Sequence, residues 1–128
     1  MTDSIIFESA ARSASENSRT ITWDKGHFPQ VRGTRLYLDI TSVSGTSPTL
    51  DLKVQGYNGL ADSWFDIPGA SFTQKTTTDA DQLTIYPDLV EQANSKVSEH
   101  IGKQFRVVAE LGGVTPSFTF SLGADLLQ

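Results

Sequence analysis

The chain has 128 residues, no cysteine, and 15 acidic against 10 basic side chains, which gives a formal net charge of -5 at pH 7. This length fits one domain, and the lack of cysteine excludes disulfides and thiolate metal sites. The acidic balance argues against nucleic acid as a partner, because a surface that neutralises phosphates needs clustered basic residues.

The sequence indicates neither a membrane segment nor a secretion signal. No uninterrupted apolar run approaches the roughly 20 residues that a membrane helix requires. The first residues, MTDSIIFES, place acids where a signal peptide has its basic region. We therefore expect synthesis in the cytoplasm, where the protein stays or is assembled into something larger, and no membrane partner.

Residues 1–33 are predicted to form an N-terminal arm with short strands. Residues 8–20, ESAARSASENSRT, contain no large apolar side chain, so this segment alone does not offset its ordering entropy and should be mobile. The apolar residues 5–7 and the run TITW at 20–23 predict short strands, which add to a neighbour's sheet edge or to the chain's own sheet. A floppy terminus and an arm that orders on a partner both remain open.

From residue 34 onward, apolar and polar residues alternate, which is typical of strands with one buried face. Residues 34–43 and 49–56 each follow this pattern and are separated by the turn residues SGTSP, which predicts a hairpin. Asn58-Gly59 is the strongest turn signal in the chain, and it predicts that SWFDI at 63–67 folds back on the preceding strand.

The later part of the chain continues this pattern with one exception. Residues 71–82 predict an exposed loop or weak edge strand, and LTIYP at 83–87 predicts a strand that a proline closes. Residues 88–102 carry apolar side chains three or four positions apart, which predicts one short helix. Residues 104–111 and 117–122, joined by GGVTP, predict a last hairpin.

Six to eight short strands without intervening helices predict an all-β fold. We expect an antiparallel β-sandwich, Ig-like or jelly-roll-like, over residues 34–128, with the extended N-terminal arm and at most one short helix.

Patterns that carry catalysis or bind metals are not found in the sequence. The serines lie in no GxSxG context, and His27 and His100 belong to no H-x-H or H-x-x-x-H pair. Asp79 and Asp81 lack the further oxygen ligands and the glycine of a calcium loop. We therefore expect a protein that is not an enzyme and that has no cofactor and no metal.

The candidate partner contacts are apolar and aromatic residues in the arm and near turns. They are Ile5, Ile6, Phe7, Trp23, His27, Phe28, Tyr57 and Trp64. The cluster WDKGHF at 23–28 forms either a contact site or a turn that caps one end of the fold. Tyr57 and Trp64 flank the Asn58-Gly59 turn, where they either form an aromatic platform of the kind that binds sugars or fill the core.

Four short segments follow one another in a familiar order. They are TLDLKVQG at Thr49–Gly56, the pair Tyr86-Pro87, KQFRV at Lys103–Val107 and SFTFS at Ser117–Ser121. In this order they resemble small head decoration (cement) proteins of tailed double-stranded DNA bacteriophages, and the resemblance covers roughly residues 34–126.

The resemblance implies a structural protein of the virion. Such a protein binds the outer surface of an assembled capsid, stabilises contacts between major capsid subunits, and acts as a homo-oligomer, either a trimer or a dimer. The alternative is a carbohydrate-binding module of a phage tail or spike, which Trp23, Tyr57 and Trp64 favour.

Overall fold

The computed structural model describes residues 2–22 and 31–128, and the fold is all-β, as predicted. The strands are β1 (Thr2–Arg12), β2 (Glu16–Asn17), β3 (Ile21–Thr22), β4 (Gly33–Asn58), β5 (Ser63–Ser71), β6 (Asp79–Ile85), β7 (Lys96–Val97) and β8 (Gln104–Leu127). They form one mixed sheet with the order β1-β8-β4-β6-β7, in which β2 and β3 also pair with β8, and β5 pairs with β4. The described residues contain no helix, and hence none that is long and apolar enough to cross a membrane. The division into two stacked layers of a sandwich stays a prediction.

The two longest strands, β4 and β8, pair with each other along almost their whole length. Gly33 lies opposite Leu127 at one end, and Gly56 lies opposite Phe105 at the other. The two predicted hairpins at SGTSP and GGVTP are therefore wrong. These segments are irregular stretches inside continuous strands, and they do not reverse the chain.

The two irregular stretches face each other where β4 and β8 approach closely. Gly45 and Gly113 have φ angles of 113° and 105°, a region that glycine adopts without steric cost. A Cβ atom on Gly45 would lie 2.7 Å from the Thr115 carbonyl oxygen, and one on Gly113 would lie 2.5 Å from the Ser47 carbonyl oxygen. Glycine is therefore required at both positions, for its conformation and for its lack of a side chain.

We call these two facing irregular stretches, residues 44–48 of β4 and 112–116 of β8, the crossing. It divides the sheet into two halves. In the first half, residues 33–43 and 117–127 are flanked by β6 and β1. In the second half, residues 49–58 and 104–112 are flanked by β5 on one side and by β2 and β3 on the other. Buried side chains of both halves belong to one hydrophobic core, whose largest fully buried members are Phe105, Phe118 and Phe120.

The N-terminal segment is part of this sheet. Strand β1 pairs with the end of β8, and β2 and β3 pair with its beginning, so the chain adds these strands to its own sheet. Ile6 and Phe7 are only 5% and 4% exposed, whereas Ile5 is 60% exposed. Residues 8–12 and 16–17, which were predicted to be mobile, are strand residues.

The predicted helix over residues 88–102 is wrong. Asp88 and Asn94 have φ angles of 65° and 58°, which an α-helix does not contain. Residues Lys96–Val97 form β7, which runs parallel to β6. The helix-like spacing arises because an irregular segment buries Val97 and Ile101 at separate points.

The predicted turn at Asn58-Gly59 is confirmed. Strands β4 and β5 form an antiparallel hairpin there, with Asn58 opposite Ser63. The Asn58 Oδ1 atom accepts hydrogen bonds from the backbone N–H groups of Leu60 and Ala61. This side chain therefore satisfies the backbone of the turn that it begins.

A glycine test checks the crossing of β4 and β8. Gly45→Ala and Gly113→Ala should each lower the free energy of unfolding by about 2 to 3 kcal/mol, because the new Cβ meets a carbonyl oxygen and the φ angle is unfavourable for alanine. Gly102→Ala is the matched control, since no atom lies within 4 Å of its Cβ position. Urea denaturation measures all three, and equal stability of the three variants would contradict the crossing.

A second pair of variants checks whether β1 belongs to the core. Phe7→Ala should lower the free energy of unfolding by about 3 to 5 kcal/mol, as expected for a buried aromatic side chain. Ile5→Ala, two residues away on the same strand, should change it by less than about 0.5 kcal/mol. If Phe7→Ala unfolds at the same urea concentration as wild type, β1 does not contribute to the core.

Candidate interaction surface on the second half of the sheet

The outward side chains of the second half form one continuous polar and aromatic surface. They alternate with core residues along three neighbouring strands, since successive side chains point to opposite faces of a sheet. Direct pairing places Tyr57 beside Trp64, and Gln55 between Asp66 and Arg106. We call the following seven residues the outer-face cluster: Lys53, Gln55, Tyr57, Trp64, Asp66, Arg106 and Glu110.

Trp64 contacts both an aromatic and a cationic side chain of this cluster. Its ring centroid lies 5.1 Å from that of Tyr57. The guanidinium carbon of Arg106 lies 4.3 Å from the Trp64 centroid, which is a cation-π contact. The Tyr57 hydroxyl donates a hydrogen bond to the Asp62 carboxylate, and this bond raises the pKa of Tyr57 above its ordinary value.

A hydrogen bond to Gln55 on β4 holds the Arg106 side chain in place. Arg106 Nε donates to Gln55 Oε1 at 2.8 Å, and Gln55 Nε2 donates to Asp66 Oδ1 at 2.8 Å. The two ends of the Gln55 amide thus have different partners, which determines its orientation. The hydrogen bond from Gln55, followed by that from Lys53, lowers the pKa of Asp66, so Asp66 is ionised at neutral pH.

Lys53 links the two carboxylates of the cluster. Its Nζ atom lies 3.4 Å from Asp66 and 3.6 Å from Glu110. These carboxylates, with Asp66 the stronger influence, raise the pKa of Lys53. Exposed ion pairs of this kind contribute little to stability. These ion pairs instead hold the Asp66 carboxylate in place, and Asp66 in turn holds the Gln55 amide.

The structure describes five of the eight predicted contact residues. Of these, Tyr57 and Trp64 come into contact from different strands, while Ile6 and Phe7 lie in the core and leave little surface for a partner. Ile5 remains exposed on β1. The other three predicted contacts lie outside the described residues; they are Trp23, His27 and Phe28.

Sequence reasoning missed Gln55 and Arg106. It placed the strand of Arg106 in a C-terminal hairpin, whereas the structure pairs that strand with β4 and puts Arg106 opposite Gln55. The one available signal was the alternation itself, which points both side chains away from the core.

A second charged cluster lies in the interval that was predicted to be an exposed loop or weak edge strand. Lys75 is only 8% exposed, and its Nζ atom lies 2.7 Å from a carboxylate oxygen of Asp79 and of Asp81. Burial lowers the pKa of Lys75, but the two carboxylates raise it by more. The hydrogen bond and charge of Lys75 in turn lower the pKa of Asp79.

Over the side chains that the structure describes, no group of three or more His, Asp or Glu is placed to hold a metal ion.

A cleft of about 430 Å³ lies at the end of the first half, away from the outer-face cluster. Arg35 Nε donates to the Thr84 hydroxyl at 3.1 Å, and the Tyr86 hydroxyl donates to the Gln128 carbonyl oxygen at 2.6 Å. Because these polar groups bond to one another, the cleft mainly presents the apolar side chains of Leu89, Leu126 and Leu127.

No family model, no curated protein and no solved structure matches this chain. The function proposed below therefore depends on the sequence and geometry of the chain itself.

Lys75→Met tests the buried ion cluster through the pH dependence of stability. The folded pKa of Asp79 is lowered, so its contribution to stability is present above the unfolded pKa of about 4 and is lost as the pH falls through the folded pKa. Wild type should therefore lose stability between about pH 5 and pH 2. The loss should be smaller in Lys75→Met, because Asp79 no longer has its cation.

At alkaline pH, the contribution of Lys75 to stability should be lost as the pH rises. The folded pKa of Lys75 is raised, so its contribution is present below about pH 10.5 and is lost above that value. Urea unfolding from pH 2 to pH 11 measures both limbs. Lys103→Met is a control for removal of one exposed lysine that forms no ion pair among the described residues. If the curve of Lys75→Met runs parallel to that of wild type, the cluster does not couple protonation to folding.

Proposed function

We propose that the protein is a non-enzymatic structural protein that binds the outer surface of an assembled phage capsid and stabilises contacts between major capsid subunits. The observation that most supports this is the position of the resembling segments. Thr49–Gly56, Lys103–Val107 and Ser117–Ser121 belong largely to β4 and β8, the strands against which most of the sheet pairs. The resembling segments therefore lie mainly in the central strands of the sheet, and the sequences of such strands vary less among related proteins than those of loops do.

The outer-face cluster is the surface that we propose for the capsid contact. Trp, Tyr and Arg are the residue types that contribute most to protein interfaces, and here Trp64 contacts both Tyr57 and Arg106. The hydrogen bonds through Gln55 hold Arg106 before a partner arrives, which lowers the entropy cost of binding.

A decoration protein acts through binding energy and copy number. Binding to the assembled lattice alone stabilises that lattice by mass action. Many copies on one shell make the contact multivalent, so each individual contact can be weak. We propose a homo-oligomer, a dimer or trimer, as the form on the virion, because a symmetric oligomer contacts several capsid subunits at once.

A carbohydrate-binding module of a phage tail or spike is the second candidate. The contact between Tyr57 and Trp64 favours it, because aromatic rings are the surfaces on which sugars stack. Arg106 lies over one face of Trp64, which leaves less open ring surface than the sequence alone suggests.

Sedimentation with expanded heads tests the first candidate. Wild-type protein should pellet with expanded heads of the phage that encodes it and stay in the supernatant without them. Trp64→Ala should weaken this binding at least tenfold, or by about 1.4 kcal/mol or more. Val90→Ala, which truncates an exposed loop residue, should bind as wild type does. Wild-type protein that stays in the supernatant at every excess would contradict the proposal.

A glycan array separates the two candidates. Wild-type signal on cell-wall glycans that disappears in Tyr57→Ala and Trp64→Ala, without head binding, would replace the capsid proposal by the sugar-binding one. Deletion of residues 1–20 does not separate them, because it also removes β1 and the buried Phe7. Point variants on the outer face avoid this loss of the core.

A further inference from the structure

We infer that Arg106 is the group of the outer-face cluster that binds a carboxylate of an acidic side chain on the partner protein. This inference rests on the proposed function and adds the chemistry that the contact surface recognises. It follows from which hydrogen-bond donors of the cluster are already used, how the guanidinium is held, and how the charges of the cluster are paired.

Most donors of Arg106 are unused within the described part of the chain. A guanidinium has five N–H donors, and here the Nε donor is bonded to Gln55. Its Nη1 and Nη2 groups have no acceptor among residues 5–22 and 31–128. The indole N–H of Trp64 also has no acceptor within those ranges. Two neighbouring side chains thus offer donors to a ligand.

The guanidinium is held in a defined orientation. Its central carbon lies over the Trp64 ring, and its Nε atom donates a hydrogen bond to an amide whose other end is bonded to Asp66. A planar guanidinium binds a carboxylate through two parallel N–H···O bonds, and holding it in place reduces the entropy lost on forming them.

The charges of the cluster also favour an acidic ligand at this point. Lys53 already lies within 4 Å of two carboxylates, whereas the described contacts of Arg106 are with the neutral side chains of Gln55 and Trp64. The net charge of -5 opposes an extended polyanion. At physiological ionic strength this repulsion is screened beyond roughly 8 Å, so a single carboxylate can still bind at short range.

Sedimentation with heads gives the first test. Arg106→Gln should weaken head binding about tenfold, because the acidic side chain of the partner loses the cation that binds it. Arg106→Lys keeps the charge but loses the fork and the stacking, so it should weaken binding about fivefold. Lys103→Gln removes one positive charge near the start of the same strand and should bind within about twofold of wild type. Equal binding by Arg106→Gln and wild type would overturn the inference and leave the capsid proposal standing.

A second readout does not depend on heads. Addition of a hexaglutamate peptide should shift the NMR resonances of the Trp64 indole N–H and the Arg106 Nε–H in wild type, while hexalysine should not. In Arg106→Gln the indole shift should be lost. If hexaglutamate gives no shift, or if hexagalacturonate binds in its place, the inference of an acidic protein partner is overturned. If the shifts occur but wild type does not bind heads, the carboxylate site stands and the capsid proposal fails.

Discussion

The close approach of β4 and β8 at Gly45 and Gly113 is the constraint on which the rest of the sheet depends. Four residues lie between Ser44 and Thr49 on β4, and four lie between Gly112 and Ser117 on β8, so the two strands have the same register on both sides of the crossing. Between these pairs each strand carries one extra residue, first β8 and then β4. Because side chains alternate, unequal insertions would shift one strand by a residue and turn its apolar side chains outward.

The register that this crossing preserves also creates the outer face. Val54 lies opposite Val107 in the core, and the next pair along, Gln55 and Arg106, therefore points to the other side of the sheet. A one-residue slip would bury the guanidinium and expose the valines. The alternation in TLDLKVQG thus places apolar side chains in the core and polar side chains on the outer face. On the outer face, Gln55 forms hydrogen bonds to side chains of both neighbouring strands.

The sequence predicts the strands and their inward faces better than it predicts their partners. Alternation identifies residues 34–43 and 49–56 as half-buried strands, and Asn58-Gly59 identifies the hairpin that follows. It does not identify pairing, because SGTSP and GGVTP contain the glycine and proline that reversals use. Their neighbours across the crossing, more than sixty residues away along the chain, make them bulges instead. The position of Arg106 beside Gln55 depends on the same distant pairing, so local pattern does not reveal it.

The edge strands β1 and β5 favour side-chain contact, and not strand addition, for the partner proposed above. On β1, at one end of the strand order, the carbonyl oxygen of Ile5 accepts from Arg19 Nε at 2.9 Å, and those of Glu8 and Ala10 accept from Arg12. On β5, Pro68 supplies no N–H and is followed by a glycine at positive φ. A partner that added a strand would need such groups free. The donors of Arg106 and Trp64 lie on the open face instead, which is why a partner that presents side chains fits this molecule better than one that extends its sheet.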